Sequence, residues 1–144
     1  MKTSEWTSAL RSGQFGQGQN CLNDGEGNFC CLGVLCEVAE IPRSGSVFNL
    51  VEYLFPVPSH QYASDLASIA SADAQLPFFV QDTILEDLNL QSKVPLSSFE
   101  LTSGDNISLQ KQTVHDRLMS LNDSGASFEF IADYIEKVRD EQNQ

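Results

Sequence analysis

Positively charged residues are scarce in this chain of 144 residues, which carries 8 Lys plus Arg against 20 Asp plus Glu and a formal net charge of −12. Proteins that hold DNA, RNA or an anionic bilayer without sequence preference depend on Lys and Arg, because these side chains displace counterions from phosphates. The charge balance therefore argues against direct nucleic-acid or membrane binding. It is compatible with a partner protein that has a basic surface.

Long apolar stretches are also missing. No segment approaches the roughly 20 apolar residues that a membrane-spanning helix needs, and the first residues lack the apolar run of a signal peptide. We therefore expect a cytoplasmic protein with reduced thiols. Its 41% hydrophobic and 19% charged residues are typical of a globular protein, and the length predicts a single domain over residues 1–144.

Histidines and cysteines are few, with 2 His and 4 Cys in the chain. Cys31 and Cys36 lie on one predicted helix at a separation that points their side chains in divergent directions, which does not suit a zinc site. The glycine-rich segment 14–18 contains neither a dinucleotide-binding nor a P-loop motif. We predict no metal site and no cofactor.

Hydrophobic periodicity predicts a mainly helical α+β fold with a small β-hairpin element. Trp6, Ala9 and Leu10 recur at helical spacing between a possible N-cap at Ser4 and a glycine at residue 13. This pattern predicts a first helix of two to three turns.

A second helix is predicted over residues 29–40, after a hairpin turn near Asp24-Gly25. Asn28 can cap this helix. At 100° per residue, Cys30 points away from the apolar arc. Cys31 and Cys36 are therefore predicted to be core residues and Cys30 is not. The apolar arc consists of Phe29, Cys31, Leu32, Leu35, Cys36, Val38 and Ala39.

Three more helices are predicted in the second half of the chain. The first covers residues 77–88 and begins at a proline. The next ends at Asn122-Asp123, where Asn122 can adopt the left-handed backbone of a helix end. Ser127 caps the last helix, and the short connection favours an antiparallel helical hairpin.

Three motifs resemble a group of small uncharacterised proteins encoded by tailed phages, prophages and some bacteria. They are W-T-S-A-L-R-S-G at residues 6–13, F-C-C-L-G-V-L-C at 29–36 and L-N-D-S-G-A-S-F at 121–128. The resemblance implies a phage-like origin and a common fold, and it assigns no activity to the chain. It favours an accessory protein that binds and blocks a component of the host.

Cys30 is the strongest candidate for a catalytic residue. A thiol in the first turn of a helix is favoured as the thiolate by unpaired N–H groups and the helix dipole. His115 would serve as its base and Asn122 as the orienting group, in the order Cys, His, Asn of papain-like enzymes. The alternative is a structural thiol and a histidine at the edge of the core.

Four carboxylates crowd one side of the last predicted helix, which we call the acidic strip. At 100° per residue they occupy about 60° of the helix circumference. This arrangement is either a solvated face or a docking strip for a basic partner. The acidic strip consists of Glu129, Asp133, Glu136 and Asp140.

Arg11 lies beside the glycine-rich segment that contains Gln17. A small anionic ligand held by Arg11, Gln17 and loop amides is one hypothesis, and a flexible connector is the other. The sequence as a whole favours a phage-type accessory protein that binds a host protein or a small anionic ligand stoichiometrically, for host takeover or counter-defence. The alternative is a cysteine-dependent hydrolase or transferase that uses Cys30 and His115.

Overall fold

A computed structural model describes residues 1–19, 22–41, 43–44, 47–48, 84–93 and 112–144. These ranges contain four helices and two pairs of short strands, so the protein is α+β and mainly helical, as predicted. β1 pairs with β2 in parallel, and β3 pairs with β4 antiparallel. The elements are α1 (Thr3–Arg11), β1 (Gly16–Gln17), β2 (Asn28–Phe29), α2 (Cys31–Val38), β3 (Arg43–Ser44), β4 (Val47–Phe48), α3 (Val114–Asp123) and α4 (Phe128–Gln142).

The first helix begins earlier than predicted. Its N-cap is Lys2 rather than Ser4, because the Glu5 carboxylate accepts a hydrogen bond of 2.9 Å from the Lys2 N–H and closes this end of the helix. The helix ends at Arg11, and Gly13 then takes a φ of +77°. The prediction of a glycine-terminated helix is confirmed.

The turn near Asp24-Gly25 is also confirmed. Asn23 and Phe29 form an antiparallel bridge around it, and Gly25 has a φ of +82°. The Asp24 carboxylate accepts hydrogen bonds from the Asn28 side-chain amide at 2.8 Å and from the Glu26 N–H at 2.7 Å. Asn28 is therefore committed to the turn and to β2.

The second helix consequently starts later than predicted, at Cys31. Its N-cap is Cys30 instead of Asn28, and the Cys30 sulfur accepts a hydrogen bond of 3.4 Å from the Gly33 N–H. The predicted helix over residues 77–88 ends earlier than expected, because Ile84 is helical and residues 85–88 are not. Leu85 and Leu88 are buried in non-helical backbone, so their apolar pattern reflects the core. Residues 77–83 lie outside the described part.

The C-terminal helices agree more closely with the prediction. α3 ends at Asp123, and Ser127 caps α4 by accepting a hydrogen bond of 3.2 Å from the Phe130 N–H. The prediction of a left-handed Asn122 is wrong, because α3 continues through this residue and Gly125 takes the positive φ of +97°. α3 and α4 contact each other across the connection at residues 124–127.

α1 packs on α4 in the opposite direction. Thr3 contacts Asp87, whose carbonyl also accepts a hydrogen bond from the Asn143 side chain just beyond the end of α4. The other end of α1 contacts α4 nearer its middle, where Arg11 binds Asp133. The polar contacts at the two ends of α1 thus tie the first helix to the last.

The hydrophobic core lies between all four helices. Trp6 is fully buried, and its indole N–H donates a hydrogen bond of 2.9 Å to the Cys31 carbonyl, which joins α1 to α2. The largest fully buried side chains are Trp6, Leu22, Leu32, Leu35, Phe48, Ile84, Leu90, Leu118, Ile131, Tyr134 and Ile135.

Gly33 lets α2 approach the backbone of Leu22 directly. A Cβ atom at this position would lie 1.7 Å from the Leu22 carbonyl oxygen, so either α2 or that backbone would have to shift. A glycine in a helix ordinarily lowers stability relative to alanine. At Gly33 the close approach reverses that order.

We expect Gly33→Ala to lower the free energy of unfolding by about 2 kcal/mol, the scale of an overpacked core. Urea denaturation followed by circular dichroism measures the change. Ser8→Ala, on the exposed side of α1, is the control and should leave stability unchanged or slightly higher. Equal stability of Gly33→Ala and the wild type would contradict the close approach.

Candidate functional site

Asn122 is the centre of a polar network that joins the core to the exposed residue Gln17. Its side chain is fully buried, and its oxygen accepts hydrogen bonds from the Cys31 N–H at 3.1 Å and the Gln17 side-chain amide at 3.2 Å. Its own amide nitrogen donates to the Gly18 carbonyl at 2.8 Å. Gln17 continues the network by donating to the Ala126 carbonyl at 2.7 Å. The structure thus brings together Gln17, which was predicted to bind an anion, and Asn122, which was predicted to orient a catalytic histidine.

Cys30 lies in the core, with 2% of its surface exposed, and the prediction that it faces away from the core is wrong. The reason is the later start of α2: as the N-cap, Cys30 has extended backbone, and helical angles do not apply to it. Cys31 and Cys36 are buried, as predicted. Burial raises the pKa of both thiols well above the ordinary value, with the neighbouring Cys30 adding to the effect.

The other two members of the predicted catalytic set are buried as well. His115 is 3% exposed in the first turn of α3, with its Nδ1 atom 3.8 Å from the Asp116 carboxylate. The Asn122 side chain forms hydrogen bonds to Cys31, Gln17 and Gly18. Its polar atoms therefore hold these segments of the chain together. His60, the other histidine of the chain, and Cys21, its fourth cysteine, lie outside the described residues.

Arg11 forms a clasp between α1 and α4. Its guanidinium donates to Asp133 at 2.6 Å and to both oxygens of Glu136 at 2.9 Å, and Thr7 adds a hydrogen bond of 2.9 Å to Glu136. These contacts raise the pKa of Arg11 and hold that of Glu136 below its usual value. A small anion bound to Arg11 would meet two carboxylates at this position.

The acidic strip is divided by this clasp. Asp133 and Glu136 tie α4 to α1, although the Asp133 side chain is still 62% exposed. Glu129 is exposed outside the clasp, and the Asp140 side chain is 67% exposed while it binds Arg139 at 3.0 Å. Two of the four carboxylates therefore have a structural role in addition to any role in binding.

Asp87 provides a second polar anchor for α1 that the sequence did not reveal. Its carboxylate accepts hydrogen bonds from the Thr3 N–H at 2.8 Å and the Thr3 hydroxyl at 2.6 Å. Partial burial opposes ionisation of Asp87, but these hydrogen bonds outweigh it and lower the pKa. Residues 86–89 and 142–143 line a shallow cleft of about 260 Å³ beside it. The apolar pattern that includes Leu85 and Leu88 predicts a helix over this segment. That prediction gives no sign that Asp87 anchors α1.

In the part of the chain that the structure describes, the His, Cys, Asp and Glu side chains form no group of three or more that could hold a metal ion. Among the helices of that part, none has the length and apolar character needed to cross a membrane.

The model of a family described as a domain of unknown function, DUF8296, matches residues 1–139. The chain belongs to this family. The DUF8296 match extends from the start of α1 to Arg139 on α4 and includes Asn122, Arg11 and most of the acidic strip. No curated protein and no solved structure matches the chain.

We expect Asn122→Ala to lower the free energy of unfolding by about 2 to 4 kcal/mol, because it leaves the buried Cys31 N–H and the Gly18 carbonyl without their partner. Thermal and urea denaturation measure the loss. Ser120→Ala, on the exposed side of the same helix, should have little effect. If the two variants are equally stable, the network does not support the fold.

Stability should also fall in acid because of the clasp. A carboxylate with a depressed pKa in the folded state stabilises the fold above its ordinary pKa, and this contribution is lost as the pH falls through the depressed value. Urea denaturation between about pH 7 and about pH 3 should therefore show a smaller acid loss for Glu136→Gln than for the wild type. Glu129→Gln, outside the clasp, is the matched control. Identical pH profiles for Glu136→Gln and the wild type would contradict the role of Glu136.

Proposed function

We propose that the protein is a phage-type accessory protein that binds a host protein stoichiometrically, without turnover, in the cytoplasm of the host cell. The acidic strip on α4 is the proposed binding surface, and a basic surface on the partner is its counterpart. The outcome of binding would be host takeover or counter-defence. The observation that carries the proposal is the exposure of the strip, where the side chains of Asp133 and Asp140 are 62% and 67% exposed.

Ion pairs within the chain occupy several of its few cations and leave a net excess of carboxylates. Lys2 pairs with Glu86, Arg11 with Asp133 and Glu136, and Arg139 with Asp140. The carboxylates of the chain still exceed its cations by 12. A surface of this sign steers a positively charged partner and accelerates its association at low salt.

The phage assignment is supported by the three motifs of residues 6–13, 29–36 and 121–128. In the structure they supply Trp6 and Asn122, which form hydrogen bonds to Cys31, and Gly33, which lies against the Leu22 backbone. The resemblance implies a shared fold, and the charges of the chain support the binding surface separately. A small anionic ligand has less support than a basic protein, because Arg11 is occupied by Asp133 and Glu136.

The cysteine-dependent alternative has less support still. A reactive thiol needs access to its substrate and a stabilised thiolate. Cys30 is buried in the core, with its sulfur bound to the Gly33 N–H. These observations favour a structural thiol.

We expect Glu129→Lys/Asp140→Lys to abolish capture of a host protein from a bacterial lysate at low salt. This pair is chosen because neither residue belongs to the Arg11 clasp, so α1 stays anchored on α4. Glu26→Lys/Glu40→Lys produces the same change of net charge on exposed residues away from α4 and should still capture the protein. Affinity capture with mass spectrometry is the measurement.

Salt supplies a second criterion. Capture by the wild type should weaken when the salt concentration rises from about 20 mM to about 200 mM, because interactions between exposed charges are then screened beyond about 7 Å. Normal capture by Glu129→Lys/Asp140→Lys at low salt would show that the strip is only a solvated face.

A further inference from the structure

Arg11 covers part of the surface to which the proposed function assigns partner binding. Its guanidinium makes three hydrogen bonds to the acidic strip, two to Glu136 and one to Asp133. The paired contact with the two oxygens of Glu136 is the arrangement in which arginine binds carboxylates most strongly. A partner's arginine would require the same oxygen atoms.

The clasp lies at the surface, where its contacts can be exchanged. About a third of the Arg11 side chain is exposed, at 34%, and the Glu136 side chain is exposed to a similar extent, at 32%. A partner's arginine can form the same paired contact with Glu136 that Arg11 forms. Displacing Arg11 therefore exchanges one guanidinium–carboxylate contact for an equivalent one, and the net cost of the exchange is small.

α1 does not depend on Arg11 alone for its position. Trp6 remains buried against α2 through its hydrogen bond to Cys31, and Thr3 remains bound to Asp87. The Arg11 side chain can therefore leave the strip while α1 stays docked.

We propose that Arg11 is an internal competitor for the acidic strip, which a partner's arginine displaces when it binds. The inference rests on the proposed function. Removing Arg11 exposes Asp133 and Glu136 and strengthens binding of an arginine-rich partner. A general change of net charge does not have the same effect.

The test uses a fluorescently labelled peptide of nine arginines, with binding measured by anisotropy at low salt. Arg11→Gln should bind about fivefold more tightly than the wild type, the upper range for one exposed ion pair. Lys2→Gln is the matched control, since it also removes one positive charge and one exposed ion pair, with Glu86 outside the strip. It should stay within about twofold of the wild type.

The outcomes separate this inference from the proposed function. If the wild type binds the peptide, Glu129→Lys/Asp140→Lys does not, and Arg11→Gln binds no better than Lys2→Gln, then only the competitor role of Arg11 is overturned. If the wild type fails to bind, or if Glu129→Lys/Asp140→Lys binds as well as the wild type, the strip is not the binding surface and both proposals fail.

A second measurement requires no substitution. The side-chain nitrogen signals of Arg11 in the wild type, followed by nuclear magnetic resonance, should shift and exchange faster with water as the nine-arginine peptide is added. Signals of Arg117, which lies on α3 outside the acidic strip, provide the internal comparison. Saturation of the protein with peptide while the Arg11 signals stay unchanged would overturn the displacement, even if Arg11→Gln does not fold.

Discussion

The hydrogen bond between the Asn122 side chain and the Cys31 N–H determines how the N-terminal and C-terminal parts of the chain meet. The same Cys31 residue accepts the indole hydrogen of Trp6 through its carbonyl, so its two peptide groups connect α1, α2 and α3. Because these groups are buried, no water can replace a missing partner. The close approach of Gly33 to the Leu22 backbone depends on the position of α2 that these bonds define.

The charged contacts of α1 have a different role from these buried hydrogen bonds. The Arg11 clasp and the Thr3–Asp87 contact lie at the two ends of α1 and set how the helix lies on α4, while the burial of Trp6 and Leu10 supplies the apolar part of its attachment. Because apolar burial holds α1 in place, the charged residues on the surface of α4 are not all needed for the core. A scaffold held by apolar side chains and buried amides can change its surface charges without changing its fold.

Features with a local cause could be predicted from the sequence. The C-terminal ends of α1 and α3 and the Ser127 cap follow from glycine, periodicity and a side-chain oxygen within a few residues. The role of Asp87 could not be predicted, because it depends on a contact with Thr3 in a distant segment. The burial of Cys30 was missed because Asn28 is committed to the Asp24 turn and to β2, which moves the start of α2 to Cys31. Asn122 combines a local and a distant feature. Its place near a helix end was correctly predicted, but its hydrogen-bond partners Gln17 and Cys31 lie about a hundred residues away and could not be predicted from local sequence.

The buried indole of Trp6 gives the protein an optical property. It is the single tryptophan of the chain, fully buried and hydrogen-bonded at the junction of α1 and α2. Its fluorescence therefore comes from one defined environment, and a shift of the emission towards longer wavelength reports water entering that junction. Loosening of the first helix can thus be observed directly in the unmodified protein, without a label and separately from loss of helix content.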